Sequence, residues 1–176
     1  MIPERSGNCM GRKLPDFDKM KSLYLGKDYT AEKEKALIGG DLNEKDVTNT
    51  CVIRLSVPLN ALGELIPAWS EPFRTRRGKD KRWYGLRVKE FWTYLTKTYG
   101  PPVLTMKAPF SKDKFAGIRG IIGFRVSHFK DATGHFTLWD GSDLLYGGDD
   151  HDYWTISDEA ALWEAGDGTR FTSAPV

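Results

Sequence analysis

The sequence predicts an α+β fold in which helices of the first hundred residues pack on an antiparallel sheet formed by the remainder. Three observations carry that reading. An apolar run at helical spacing follows the capping residues Thr48, Asn49 and Thr50, and a second amphipathic segment ends at Gly100-Pro101-Pro102. Beyond residue 120 the pattern changes to short strand-like runs separated by turn signals.

Residues 1–45 are polar and weakly patterned, with short helices expected at 16–23 and 31–37, the second broken by Gly39-Gly40. Residues 46–62 place Leu55, Leu59 and Leu62 at helical spacing, which predicts a helix opening at Cys51. Pro58 costs about 3 kcal/mol in a regular helix interior, so a kink or break is expected there. Residues 74–82 hold six Lys or Arg in nine positions and read as a basic loop, followed by Trp83 and Tyr84. The segment 86–99 puts Val88, Phe91, Trp92 and Leu95 on one helical face. Strands are then expected at 120–129, 135–139 and 153–156, with turns at Asp131-Ala-Thr-Gly and Asp140-Gly141.

A length of 176 residues suits a single domain spanning 1–176, with 1–45 as its weakly patterned part. Apolar residues make up 40% and charged residues 28%, an ordinary globular composition rather than a disordered one. No apolar stretch approaches the ~18 residues of a spanning helix, so no membrane insertion is expected. The opening Met-Ile-Pro-Glu-Arg-Ser-Gly-Asn lacks an apolar core and a cleavage site, so synthesis without a secretory signal is expected. A net charge of +2 gives no argument for nucleic acid. Cys9 and Cys51 are too few for a disulfide framework or a four-cysteine zinc site, and neither a metal nor a cofactor is called for.

The chemistry concentrates on Cys51. A cysteine at a helix start with a histidine on a strand far downstream is the pattern of papain-like thiol enzymes. Unpaired N–H groups at the helix start favour thiolate, and an adjacent imidazole takes up and later donates the proton. The same N–H groups, that of Cys51 included, can hold an oxyanion. Of the three histidines, His135 follows Gly134 and opens a strand, which suits a side chain at a sheet edge. His128 lies late in an apolar strand, and His151 sits in an acidic, solvated loop. If the chain turns near Asp140-Gly141, the group facing His135 comes from the returning arm, where Asp149 and Asp150 are the carboxylates; Asp140 itself serves the turn. The plain reading of Asp149, Asp150 and Asp152 is an acidic surface loop. Cys51 likewise has a plain reading, as a small buried core residue.

Four runs resemble a known family: Thr50-Cys-Val-Ile-Arg-Leu-Ser56, Leu86-Arg-Val88, Gly120-Ile-Ile-Gly-Phe124 and, most specifically, Asp131-Ala-Thr-Gly-His-Phe-Thr-Leu-Trp-Asp-Gly141. In order and spacing they look like the fourth family of type VI secretion amidase effectors, over roughly residues 47–163. The resemblance implies a papain-like fold related to NlpC/P60 peptidases and hydrolysis of the D-glutamyl–diaminopimelate amide in peptidoglycan stem peptides. It implies Cys51 as nucleophile, His135 as base and Asp150 as acidic member, reading Asp150-His151-Asp152-Tyr153 against the family's Asp-His-Cys-Tyr, with Asp149 as the neighbouring alternative. It further implies manufacture in the cytoplasm, delivery by the secretion apparatus into the periplasm of a Gram-negative target cell, and a cognate immunity protein. The chain departs from the family in lacking the cysteine pair that bridges the loop after Trp-Asp-Gly, and its segment 142–149 is longer.

Two other classes compete. The basic segment 74–82 with Trp83 and Tyr84 fits a nucleic-acid-binding module, and a buried, inert Cys51 fits a non-catalytic interaction domain. The segment's charges also suit an approach to anionic peptidoglycan, although a solvated charged loop is the plainer role. Trp83 and Trp139 read as core aromatics rather than substrate platforms.

Overall fold

The computed structural model describes residues 12–127, 134–147 and 151–167. Two short helices come first, α1 (Phe17–Leu23) and α2 (Ala31–Ile38), close to the expected spans. Each is capped by a side-chain oxygen: Asp16 accepts the N–H of Lys19 at 3.0 Å, and Thr30 accepts that of Lys33 at 3.2 Å. Next is α3 (Cys51–Ala61), which opens at Cys51 as expected and runs through Pro58 without the predicted break. Pro58 falls in the last turn, where few hydrogen bonds follow it. Burial of Leu55 and Leu59, worth about 1.5–3 kcal/mol each, outweighs the cost of the missing donor.

The basic segment is not a loop. It forms a hairpin of β1 (Thr75–Arg77) and β2 (Trp83–Gly85), with Arg76 opposite Tyr84. The charged turn between the strands hid the pairing, because a three-residue strand is too short to show alternation. Helix α4 (Val88–Tyr99) buries Val88, Phe91, Trp92 and Leu95, the four residues its sequence pattern selects. It stops at Gly100, whose φ of +87° few other residues adopt.

A four-stranded antiparallel sheet completes the fold: β3 (Leu104–Lys107), β4 (Gly120–Arg125), β5 (Gly134–Trp139) and β6 (Glu159–Glu164), in the order β3-β6-β4-β5. Two of these strands carry no clear sequence signal. Glu-Ala-Ala-Leu-Trp-Glu of β6 has helical propensities, yet it pairs on both sides and buries Ala160 to Trp163. Conversely, the strand expected at 153–156 is a one-turn helix, α5 (Tyr153–Ile156). Asp152 caps it, accepting the Trp154 N–H on its side chain at 3.1 Å and the Thr155 N–H on its carbonyl at 3.1 Å. A local cap decides the conformation there over the β-preference of Tyr-Trp-Thr-Ile.

The sheet is covered on both faces. On one, Ile121, Phe136, Leu138, Ala161 and Trp163 pack against α3 and α4; on the other, Ile122, Phe124, Trp139 and Leu162 pack with Phe115 and Tyr153. Strand β5 lies at the end of the sheet, so its outer edge is free to meet other groups. Among the described residues no helix is long and apolar enough to cross a membrane.

Candidate active site

Cys51 is the first residue of α3 and is 2% exposed. Its sulfur accepts the backbone N–H of Phe136 from β5 and that of Val52 from its own helix. The nucleophile candidate is thereby seated against the open edge of β5, at the residue that follows His135. Its own N–H, expected among the oxyanion donors, donates to Oδ1 of Asn49 at 3.1 Å. The helix start does not produce a resting thiolate here. Burial pushes the thiol up to about 12, and the two amides and Arg54, which pull it down, do not offset that. The sulfur therefore holds its proton at neutral pH and needs a base beside it to react.

His135 stands where β5 begins, and Gly134 before it is required by geometry. Its φ is +152°, and a Cβ at that position would lie 1.7 Å from the carbonyl oxygen of Phe124. The imidazole is 3% exposed and stacks on Tyr153, with centroids 4.5 Å apart and planes 10° from parallel. From Nε2 it donates to the main-chain carbonyl of Tyr146 at 2.7 Å. A carbonyl only accepts, so Nε2 carries the proton and Nδ1 is the basic nitrogen of the neutral ring.

The group facing His135 does come from the returning arm, as the hairpin argument requires. After the turn, where Asp140 Oδ1 accepts the N–H groups of Ser142 and Asp143, the chain runs back along β5. Leu145 donates to the carbonyl of Leu138 at 3.0 Å, and Tyr146 donates to the hydroxyl of Thr137 at 3.0 Å. The acceptor found on this arm is a peptide carbonyl. Asp149, Asp150 and His128 lie outside the described residues. His151 is exposed and meets Tyr153 edge-on at 5.9 Å.

Beneath the cysteine lies a charged pair that sequence reasoning missed. Arg54, one turn along α3, and Glu34 of α2 are both fully buried, with Nε 3.1 Å from the carboxylate. Burial raises the Glu34 carboxyl to about 7 against the opposing pull of Arg54. The available signal was an arginine inside the otherwise apolar run Cys-Val-Ile-Arg-Leu, since an unpaired charge is not buried in such a helix.

A cleft of about 850 Å³, lined by neither Cys51 nor His135, is walled by Asp46 and Asn49 before α3, by Arg74 and Arg76 of the hairpin region, and by Arg87 and Glu90 near the start of α4. The basic groups there are largely paired: Arg76 reaches Asp46 at 2.8 Å and Glu44 at 3.1 Å, and Arg74 faces Glu90 at 3.7 Å. Tyr84 is buried, its hydroxyl donating to Asp80 at 2.7 Å, and Trp139 is a core aromatic bonded to the carbonyl of Phe115. A paired guanidinium and a buried phenol do not make a stacking platform for nucleic acid. Among the described residues no group of three His, Cys, Asp or Glu side chains is arranged to hold a metal ion.

Comparison with known proteins matches residues 47–163 to the family described as type VI secretion system (T6SS) amidase effector protein 4, Tae4. The fold is similar to the effector Tae4 from Salmonella typhimurium, solved in complex with the immunity protein Tai4 from Enterobacter cloacae. That match has 28% identity and a TM-score of 0.74, covering 86% of this chain and 99% of that one. It is also similar to the effector Tae4 from Enterobacter cloacae, with 29% identity and a TM-score of 0.74 over 89% of this chain and 100% of that one. The Tae4–Tai4 complex from Enterobacter cloacae matches at 29% identity and a TM-score of 0.71, over 86% and 99%. No curated protein sequence matches the chain.

Proposed function

Since the chain belongs to the type VI secretion system amidase effector protein 4 family, we propose that it is a cysteine amidase that cleaves the D-glutamyl–diaminopimelate bond of peptidoglycan stem peptides. The observation that carries the cysteine mechanism is the seat of the Cys51 sulfur at the N–H of Phe136, next along β5 from His135. A nucleophile at a helix start, packed on an edge strand that bears the histidine, supports a papain-like fold of the NlpC/P60 kind.

In this mechanism the Cys51 thiol passes its proton to Nδ1 of His135, and the sulfur bonds to the γ-carbonyl carbon of D-glutamate. The oxyanion that forms is met by N–H groups at the start of α3, with Cys51 exchanging the Asn49 oxygen for it. Collapse breaks the C–N bond, and His135 returns the proton to the departing amine. Water, deprotonated by His135, then attacks the thioester and releases the acid and the thiol. Asp150 is the proposed third member, on the family resemblance alone.

The whole chain is read as one amidase domain, an antibacterial toxin that the secretion apparatus delivers to the periplasm of a Gram-negative target. Its partner in the producing cell is a cognate immunity protein, because similar effectors have been solved bound to theirs. The reading is tested by digesting purified sacculi and identifying the released fragments by mass. Fragments ending in D-glutamate, with none from Cys51→Ala, are expected. Equal digestion by Cys51→Ala, or no digestion by the wild type, overturns it.

A further inference from the structure

The imidazole is held by a carbonyl, and that carbonyl is itself held in place by groups that neither the nucleophile nor the base accounts for. Tyr146 has its N–H on the Thr137 hydroxyl and its C=O on His135. Its ring lies under the guanidinium of Arg54, with Cζ 4.0 Å from the ring centroid. The guanidinium is fixed in its own plane. Nη1 donates to the carbonyls of Leu25 at 2.7 Å and Gly26 at 2.9 Å, Nη2 to that of Tyr29 at 2.7 Å, and Nε to the Thr50 hydroxyl at 3.2 Å. Glu34 supplies the counter-charge. With its edge engaged in this way, the face of the group is left to stack, an arrangement that a lysine cannot reproduce.

These contacts form a closed circuit: Cys51 to Arg54 along one turn of α3, Arg54 to the Tyr146 ring, Tyr146 carbonyl to His135, and Phe136 N–H back to the Cys51 sulfur. We propose that Arg54, stacked on Tyr146, is a positioning residue that sets the imidazole against the sulfur through the Tyr146 carbonyl. The inference rests on the reading of Cys51 and His135 as nucleophile and base. Each link is short, and a displacement of the base by ~1 Å is enough to cost about 100-fold in rate.

The experiment measures three quantities in a Cys9→Ser background: alkylation of Cys51 by iodoacetamide across pH, turnover on sacculi, and thermal stability. Tyr146→Leu keeps the peptide carbonyl and the Arg54–Glu34 pair but removes the stacked ring, and Tyr146→Phe keeps the ring. Expected for Tyr146→Leu are falls in kcat and in the alkylation rate at pH 7 by a common factor of at least about tenfold. Its alkylation profile moves to higher pH, while KM and melting temperature stay near those of the parent. Tyr146→Phe is expected to restore both rates. Arg54→Lys, with its charge retained, is expected to slow both rates as Tyr146→Leu does and, unlike it, to lower the melting temperature, because the carbonyls of Leu25, Gly26 and Tyr29 lose donors. Alkylation and turnover at parental rates in Tyr146→Leu overturn the positioning role, as does a Phe variant as slow as the Leu variant. If Cys51→Ala retains turnover, the fault lies instead in the reading beneath it.

Discussion

The sulfur of Cys51 accepts the backbone N–H of Phe136, so a residue on the first turn of α3 and the main chain of an edge strand meet at one hydrogen bond. That contact ties the thiol to the strand carrying His135 while leaving it in a dry environment. In the proposed mechanism the reactivity of the sulfur then depends on His135 more than on the helix start.

With Cys9 replaced by Ser, His135→Ala leaves a thiol that burial holds at about 12. Iodoacetamide consumption at pH 7 is expected to fall by roughly 100-fold or more and to recover only in strongly alkaline solution. Because the imidazole is buried against Tyr153, the variant also loses some stability. Alkylation at the parental rate would show that another base serves the sulfur.

Glu34 makes stability depend on pH. Its carboxyl is raised from 4.5 to about 7 in the folded chain, so between those values the folded state binds the proton that the unfolded state has released. Stability from this group is full below about pH 4.5 and is lost as pH rises through 7. Glu34→Gln is expected to flatten that slope in melting temperature. It also lowers stability above about pH 7, where the ionised carboxylate is the buried counter-charge of Arg54. An unchanged slope in the variant would assign the dependence to other groups.

Asn49 anchors the start of α3 through the Cys51 N–H. Asn49→Ala is expected to cost about 0.5–2 kcal/mol of stability, read by urea unfolding, while Asn49→Asp keeps the acceptor and most of the stability. Equal losses in the two variants would mean that the bond does not cap the helix.

Gly134→Ala places a methyl 1.7 Å from the Phe124 oxygen at a backbone angle that side chains rarely take. A loss of more than about 1 kcal/mol, together with lost turnover, is expected. Wild-type melting would contradict the register that pairs Gly134 with Arg125.

What could be read from the sequence was local. The Thr-Asn-Thr before an apolar run marked the start of α3, the stripe of Val88, Phe91, Trp92 and Leu95 marked α4, and Gly134-His135 marked the close approach at β5. What was hidden depends on distant partners. Strand β6 is a strand because β3 and β4 flank it, and its own six residues favour a helix. The Arg54–Glu34 pair joins helices twenty residues apart in sequence, and the partner that the described residues give His135 Nε2 is a peptide oxygen, which has no residue type to search for. Pro58 misled for a different reason: its cost was clear, but the burial that offsets it was not.

The carbonyls of Leu25, Gly26 and Tyr29 form half of the cage around a guanidinium that has no access to water. A shortened chain beginning at residue 47, where the family match starts, would leave that cation facing a hole in place of its ligands, and Glu34 would be gone as well. The smallest fragment that keeps amidase activity is therefore expected to begin upstream of Leu25, and trimming the weakly patterned head should cost that activity even though Cys51 and His135 survive the cut.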